Sequence, residues 1–284
     1  MQARPECLPC YLVQVLSAMR YAGVSDAEAI KIMAEVAGEL KLLRHDRTPN
    51  YNSTLVLRKA YELAGVSDPY REAKKSSNRL AEQVLQKIEP APEEDSLLTA
   101  LKLSAAGNVI DLGIQSNYDI EKSLKAAIDS FGNKDSYLVF REDLDRAVKV
   151  LVIGDNSGEI VFDKVLVKEF LSLGKQVVYA VKLFPILNDA TRDDAVETGL
   201  ADLVPVIDTG NGFLGVEWEL CSQEFKKAYN EADLVLAKGQ ANYESLESQP
   251  HAADKTYFLL RAKCPIVAEH LGVNLGDWVL KRNI

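Results

Sequence analysis

Between residues 147 and 272 the chain repeats one alternation: a short apolar run, a few turn residues, then a helical stretch. The apolar runs read VKVLVIGD, QVVYAVK, LVPVIDTG, ADLVLAKG, TYFLLRAK and PIVAEHLG. Most are separated by stretches with helical spacing of apolar residues, such as EIVFDKVLVKEFLSLG, DATRDDAVETGLA and SQEFKKAYNEA. Continuous apolar runs suit strands covered on both faces, and helices between them supply the crossovers that parallel strands need. The expected fold class is therefore α/β: a doubly wound, mostly parallel, Rossmann-like sheet with right-handed connections. Ligands of such sheets bind outside the carboxyl ends of the strands, so those ends are where chemistry is expected.

The first 105 residues lack this alternation. YLVQVLSAMRYAG carries Leu12, Val15, Leu16 and Met19 on one stripe, with Gly23 as a C-terminal stop. SDAEAIKIMAEVAGELKLL opens with Ser25 and, three residues on, Glu28, a capping-box pattern. Further stripes follow in NSTLVLRKAYELAG and DPYREAKKSSNRLAEQVLQKI, then a PAPEED loop and the helical SLLTALKLSAAGNVID. The expected division is a helical part over 1–105 and an α/β part over 106–284.

The 284 residues are 47% hydrophobic, enough for a sizeable core in one large domain or two smaller ones. A formal net charge of −9 argues against a broad nucleic-acid footprint. No stretch reaches the ~18 consecutive apolar residues of a membrane span. The opening MQARPECLPCYL lacks the pattern of a signal peptide, and four cysteines make no disulfide framework. The expectation is a soluble cytoplasmic protein with neither nucleic acid nor membrane as partner. A homo-oligomer is compatible with the chain but not visible in it.

The strand ends are polar. The first run stops at Gly154 and exposes Asp155, Asn156, Ser157, Gly158 and Glu159 before a helix begins. The second is followed by Asn188, Asp189 and Thr191, the third by Asp208 and Asn211, the fourth by Lys238, Gln240 and Asn242, and the fifth by Arg261 and Lys263. A dinucleotide-binding turn would carry G-x-G-x-x-G here, and this one carries a carboxylate and an amide. A cation between that acid and a phosphate would reconcile the two. Hard divalent ions take oxygen ligands, which Asp155, Asn156 and Asp189 supply. Lys238 would neutralise phosphate oxygens, and the amides of Ser157 and Gly158 at a helix N-terminus would favour an anion. Glu159 in the first turn suits the same dipole. Each residue also has an ordinary reading: Asp155 or Asp189 as a helix cap, Lys238 as a surface lysine.

The segments GDNSGEIVFD, PILNDAT, AKGQANYE and AAGNVIDLG, in this chain at 154, 185, 237 and 105, together resemble the metal-dependent damage-control phosphatase family. That family was long known as domain of unknown function 89 and is related to a protein-glutamate methyltransferase-like domain. The resemblance covers nearly the whole chain. It implies hydrolysis of phosphate monoesters of small metabolites, such as sugar phosphates or damaged phosphometabolites, with Mg²⁺, Mn²⁺, Co²⁺ or Ni²⁺. It implies Asp155, Asn156 and Asp189 as metal ligands, Lys238 near the phosphate and Asn108 reaching in from the helical side. The catalytic residues would be Asp155, Asp189 and Lys238. Substrate would meet Asn108, Ser157, Gly158, Glu159 and Asn242. One branch carries Arg-Thr-x-Lys near its C-terminus; this chain departs from it with Arg261-Ala262-Lys263-Cys264. Cys7-x-x-Cys10 resembles the archaeal and bacterial-type branch.

Haloacid-dehalogenase phosphatases use Asp-x-Asp at the first strand end; here the third residue is Ser157, which favours water over a carboxylate as nucleophile. Competing functions are an S-adenosylmethionine-dependent carboxyl methyltransferase, a dinucleotide-binding oxidoreductase, and a non-catalytic metal- or metabolite-binding module. Cys7 and Cys10 fit a structural, redox or metal role. The glycine-rich TGNGFLGVEWE at 209–219 reads as a mobile lid or a plain surface loop.

Overall fold

The computed structural model describes residues 1–88, 95–109 and 134–284. Residues 90–94 of the loop expected over 90–95, and the end of the AAGNVIDLG segment, 110–113, lie outside the described residues. The N-terminal helices are α1 (Cys7–Tyr21), α2 (Asp26–Glu39), α3 (Pro49–Ala64), α4 (Arg71–Leu85) and α5 (Ser96–Ala106). Their ends obey local chemistry. Ser25 Oγ accepts the Glu28 amide at the start of α2, and Thr48 caps α3 ahead of Pro49. Gly65, at φ +65°, stops α3 in the left-handed conformation.

The second half runs α6 (Lys134–Arg146), β1 (Lys149–Ile153), α7 (Glu159–Ser172), β2 (Gln176–Val181), α8 (Arg192–Glu197), β3 (Val206–Asp208), α9 (Gln223–Glu231), β4 (Leu234–Lys238), α10 (Gly239–Leu246), β5 (Thr256–Arg261), α11 (Pro265–Leu271) and β6 (Trp278–Arg282). The strands form one sheet in the order β3-β2-β1-β4-β5-β6, parallel throughout except for antiparallel β6 at the edge. This is the doubly wound α/β architecture that the alternation predicts.

Two readings change. PIVAEHLG, expected as an apolar strand, forms α11: Pro265 occupies its first turn and Gly272, at φ +71°, its C-cap. A proline at the start and a left-handed glycine at the end are helix punctuation, and they outweigh the short apolar run. The sixth strand is instead WVLKR, which adds to β5 as an edge.

Side chains alternate across the sheet. Val150 and Val152 of β1, with Tyr179 of β2 and Leu236 of β4, face α5, α6 and α7. Leu151 and Ile153, with Val235 and Phe258, face α9, α10 and α11. Helices α1, α2 and α3 close a third core of their own, which also takes in Ile186 and Leu214 from the sheet's loops. Helices α4 and α5 share the sheet's core through Ala81, Val84, Leu97 and Leu101. No helix among the described residues is long and apolar enough to cross a membrane.

The register aligns the site. Ile153, the last residue of β1, stands opposite Ala180 of β2 and Ala237 of β4. The turns that follow these three strands therefore emerge level. The chain leaves β1 towards β2 and β3 but returns to β4 on the other side, so β1 and β4 flank the topological switch point where such sheets bind ligands.

Candidate active site

Asp155 leaves β1 two residues after Ile153, and Gly239 leaves β4 two residues after its partner Ala237. Both turns are close-packed. A Cβ on Gly154 would fall 2.4 Å from the hydroxyl of Tyr179, and one on Gly239 would fall 1.9 Å from Oδ2 of Asp155. Glycine at 239 lets the Asp155 carboxylate lie against the backbone, and its φ of +78° suits no other residue as well.

The turn after β1 is clamped to the loop after β2. The Ser157 amide and hydroxyl both donate to Asn188 O, at 2.9 and 2.8 Å, and the Ala190 amide donates to Asp155 O at 2.8 Å. Asn156 and Asp189 form an isolated β-bridge. This clamp brings Asp155, Asn156 and Asp189 together on the wall of one cavity of about 150 Å³, with Asn108 entering from the turn after α5. Gln14 and Asn50 reach the same wall from α1 and α3.

The cavity gathers negative charge in a buried setting. Burial pushes the Asp155 carboxyl well above the usual carboxylate range, and the neighbouring charges of Glu159 and Asp189 push it further. Asp189 is raised to about 6 by burial, against the opposing pull of Lys182 and Lys74. Asn156 Nδ2 donates to Asp155 Oδ2 at 2.9 Å. Asn108 Nδ2 donates to Glu159 Oε2 at 2.7 Å and reaches Asp155 Oδ2 at 3.4 Å. Buried Asp189 Oδ2 and Asn108 Oδ1 accept no hydrogen bond from the protein. These two oxygens, of which Asp189 Oδ2 stands 3.8 Å from Lys182 Nζ, lie beside the Asp155 carboxylate and make a donor set suited to a hard cation. Among the described residues no three His, Cys, Asp or Glu side chains group at metal-binding distance, so other oxygens, such as side-chain amides, would complete any such set.

Five residues expected at the substrate or its phosphate are engaged elsewhere. Lys238 is fully buried. Its Nζ lies 2.5 Å from Glu159 Oε1, pairs with Asp163, and donates to Ser104 O at 3.1 Å. Burial alone would lower its pKa, but the carboxylates of Asp163 and Glu159 outweigh burial and raise it. Its charge is thus compensated by carboxylates behind the cavity wall, and Glu159 is held in the same cluster. The helix N-terminus is no open anion cradle either. The Ser157 amide is taken by Asn188 O, and the Gly158 amide donates to Asn78 Oδ1 at 2.6 Å. Asn242 spends Nδ2 on Gly154 O and Lys238 O, while its Oδ1 is buried without a hydrogen bond.

The cations that do stand on the cavity wall are Arg261 and Lys263, at the carboxyl end of β5. Their positions at a strand end are the signal that marks them. Asn78 was not legible as a site residue. It sits mid-helix in α4, yet it joins the Gly158 amide to Asp194, to which its Nδ2 donates at 3.0 Å. No sequence signal marks Asp163 either; it lies within α7, and Tyr179 and Ser104 both donate to it, at 2.5 and 2.6 Å.

Residues 209–219 form neither a lid nor a plain surface loop. Phe213, Leu214 and Val216 are buried, Phe213 stacks on Tyr51, and the Leu214 amide donates to Thr54 Oγ1. Thr191, with Asp194, forms the capping box of α8, which leaves Asp189 outside that cap. Cys7, Cys10 and Cys264 carry free thiols and line one neighbouring cavity.

The family model of the damage-control phosphatase ARMT1-like domain matches residues 3–279. The chain belongs to the damage-control phosphatase family. A damage-control phosphatase of Pyrococcus horikoshii is 35% identical over 288 residues, covering 100% of this chain and 99% of that protein. A damage-control phosphatase of Archaeoglobus fulgidus is 34% identical over 262 residues, covering 89% of this chain and 87% of that one. The crystal structure of a DUF89 family protein from P. horikoshii superposes with a TM-score of 0.90 at 34% identity, over the full length of both chains. That protein thus shares this fold from end to end, helical part included.

Proposed function

We propose that this damage-control phosphatase hydrolyses the phosphate monoester of a small metabolite in the Asp155–Asp189 cavity, with a divalent cation held by Asp155, Asn156 and Asp189. One observation carries the reading: the half-buried Asp155 and the buried Asp189 face one small cavity at the switch point, where desolvation and the charges of Glu159 and Asp189 raise the pKa of Asp155. Burying paired carboxylates is unfavourable unless a cation or protons offset their charge. All available donors are oxygens, which suits Mg²⁺, Mn²⁺, Co²⁺ or Ni²⁺ without choosing among them. When bound, the cation neutralises charge that builds on the phosphoryl oxygens.

The chain's own residues do the rest. Asn108 and Asn156 hold the Asp155 carboxylate through their amide groups. Lys238 and Asn108 fix Glu159, which keeps that carboxylate engaged and away from an attacking water. Asp189 has an oxygen with no hydrogen-bond partner, so it would be placed beside the cation to take a proton from that water. Arg261 and Lys263 bring positive charge to the cavity wall, which would attract a phosphate dianion, and Arg261 also donates from Nε to Gly276 O at 3.0 Å. Gln14 and Asn50, from the helical part over 1–105, wall the cavity that the α/β part over 106–284 builds.

The test strips the protein with chelator and follows phosphate release from para-nitrophenyl phosphate and a panel of sugar phosphates. Each assay runs without metal and with each of the four cations, beside Asp155→Ala. Release that needs both metal and Asp155 is the expected result. A fully active Asp155→Ala protein rejects the assignment.

A further inference from the structure

The proposed catalytic cavity is too small for a whole substrate. At about 150 Å³ it lies below the range of about 300–1,000 Å³ that holds metabolite-sized ligands. A second cavity of about 350 Å³ adjoins it, and the two share Gln14, Asn50, Gln240 and Lys263 as common walls. Together they reach the size that small-molecule sites have. Resting on the phosphatase reading, we propose that the phosphoryl group sits in the smaller cavity and the alcohol part of the substrate in the larger. We further propose that this alcohol part carries no second anionic group.

The chemistry of the second cavity selects its occupant. Cys7, Cys10, Pro265 and Ile266 give it a soft, largely apolar wall. Gln14, Asn50 and Gln240 bring amides that can meet hydroxyl groups. Its acidic members are Glu6 and Glu244. Glu244 is buried and accepts from Gln240 Nε2 at 2.8 Å. Lys263 lies on the wall shared with the catalytic cavity, where the phosphoryl group would claim it. A second phosphate or carboxylate would therefore meet the Glu6 carboxylate, the buried Glu244, whose carboxyl burial raises to about 7, and the thiols, and would have to share Lys263 with the phosphoryl group. Such unmatched charge is how a site rejects a competitor. A neutral hydroxylated or partly apolar alcohol meets no such penalty.

The arrangement gives the Cys7-x-x-Cys10 segment a place in recognition. It starts α1, and it faces Cys264, the residue before α11, across the same cavity. The helical part thereby closes the alcohol side of the site, while the sheet supplies the phosphate side.

The test fills the second cavity from opposite walls with Cys10→Trp and, separately, Ile266→Trp. Cys10 is exposed, so its side chain can grow without disturbing a core. In each variant and in the unaltered protein, KM is measured for a hexose monophosphate, and the inhibition constant for inorganic phosphate. Phosphate needs only the smaller cavity. The expected result is a KM raised about tenfold or more, with phosphate inhibition held within about twofold. In the unaltered protein, a hexose bisphosphate should show kcat/KM about tenfold below the monophosphate. Unchanged KM in both variants, a parallel loss of phosphate inhibition, or preference for the bisphosphate would overturn the proposal. If the unaltered protein neither hydrolyses any ester nor binds phosphate, the phosphatase reading itself falls. That outcome is read without any variant and so is distinct from failure of the second cavity.

Discussion

Oδ2 of Asp155 lies where a Cβ on Gly239 would have to be, 1.9 Å away. The carboxylate at the end of β1 is positioned by the missing side chain at the end of β4. The two strands are hydrogen-bonded neighbours on either side of the switch point, so the contact follows from sheet order and not from any local sequence rule.

Gly239→Ala should therefore separate activity from folding. The methyl group must push Asp155 aside, and displacement of a catalytic group by about 1 Å can cost on the order of a hundredfold in rate. The left-handed backbone at 239 adds roughly 1 kcal/mol of strain, a small loss for a chain of this size. Steady-state kinetics beside thermal melting will show kcat/KM collapsing while the melting transition stays cooperative. Full activity in this variant would mean that Asp155 does not need its present place.

Lys238→Met should act on stability first. It leaves Glu159 and Asp163 buried without their cation, and breaking a buried pair in this way costs about 3–5 kcal/mol. Denaturant titration measures the loss. A normal unfolding midpoint together with a raised KM would return Lys238 to the phosphate, the role that the sequence resemblance implies.

Cation binding should depend on pH in a definite direction. Burial raises the Asp189 carboxyl to about 6, so the folded chain keeps a proton that the unfolded chain has released above its ordinary pKa of 3.8. Without metal, the contribution of this group to stability is thus greatest below that ordinary value and declines as pH rises towards 6. A cation competes with the same proton, so its affinity rises over that interval. The melting-temperature gain on adding Mn²⁺ should be small near about pH 5 and larger near about pH 8, and Asp155→Ala should remove it. A gain independent of pH would place the ion away from Asp189.

Much of the molecule was legible in the order of residues. Apolar runs of strand length, alternating with helical spacing, fix a parallel sheet because nothing else buries both faces of so many short strands. The ends of those strands carry Asp155, Asn156 and Asp189, and the fold rule for such sheets makes those ends the site. Local punctuation was also there to read: Pro265 and Gly272 mark α11 as a helix although its residues are apolar.

What the sequence could not contain is distance between residues far apart in the chain. Lys238 and Asp163 are 75 positions apart, and only folding brings them into a pair that removes the lysine from the cavity. Asn78 reaches Gly158 across 80 positions, and Asn108 reaches Glu159 across 51. A charge or an amide is read in sequence by its type, whereas its task depends on which buried group most needs a partner. The sequence by itself determined the α/β sheet and the acidic turn at its switch point, because period and turn chemistry are local. Tertiary packing alone decided that Lys238 serves Glu159 and Asp163, that 211–217 is buried against α3, and that Arg261 and Lys263 face the cavity, because burial makes each polar group take the partner within reach.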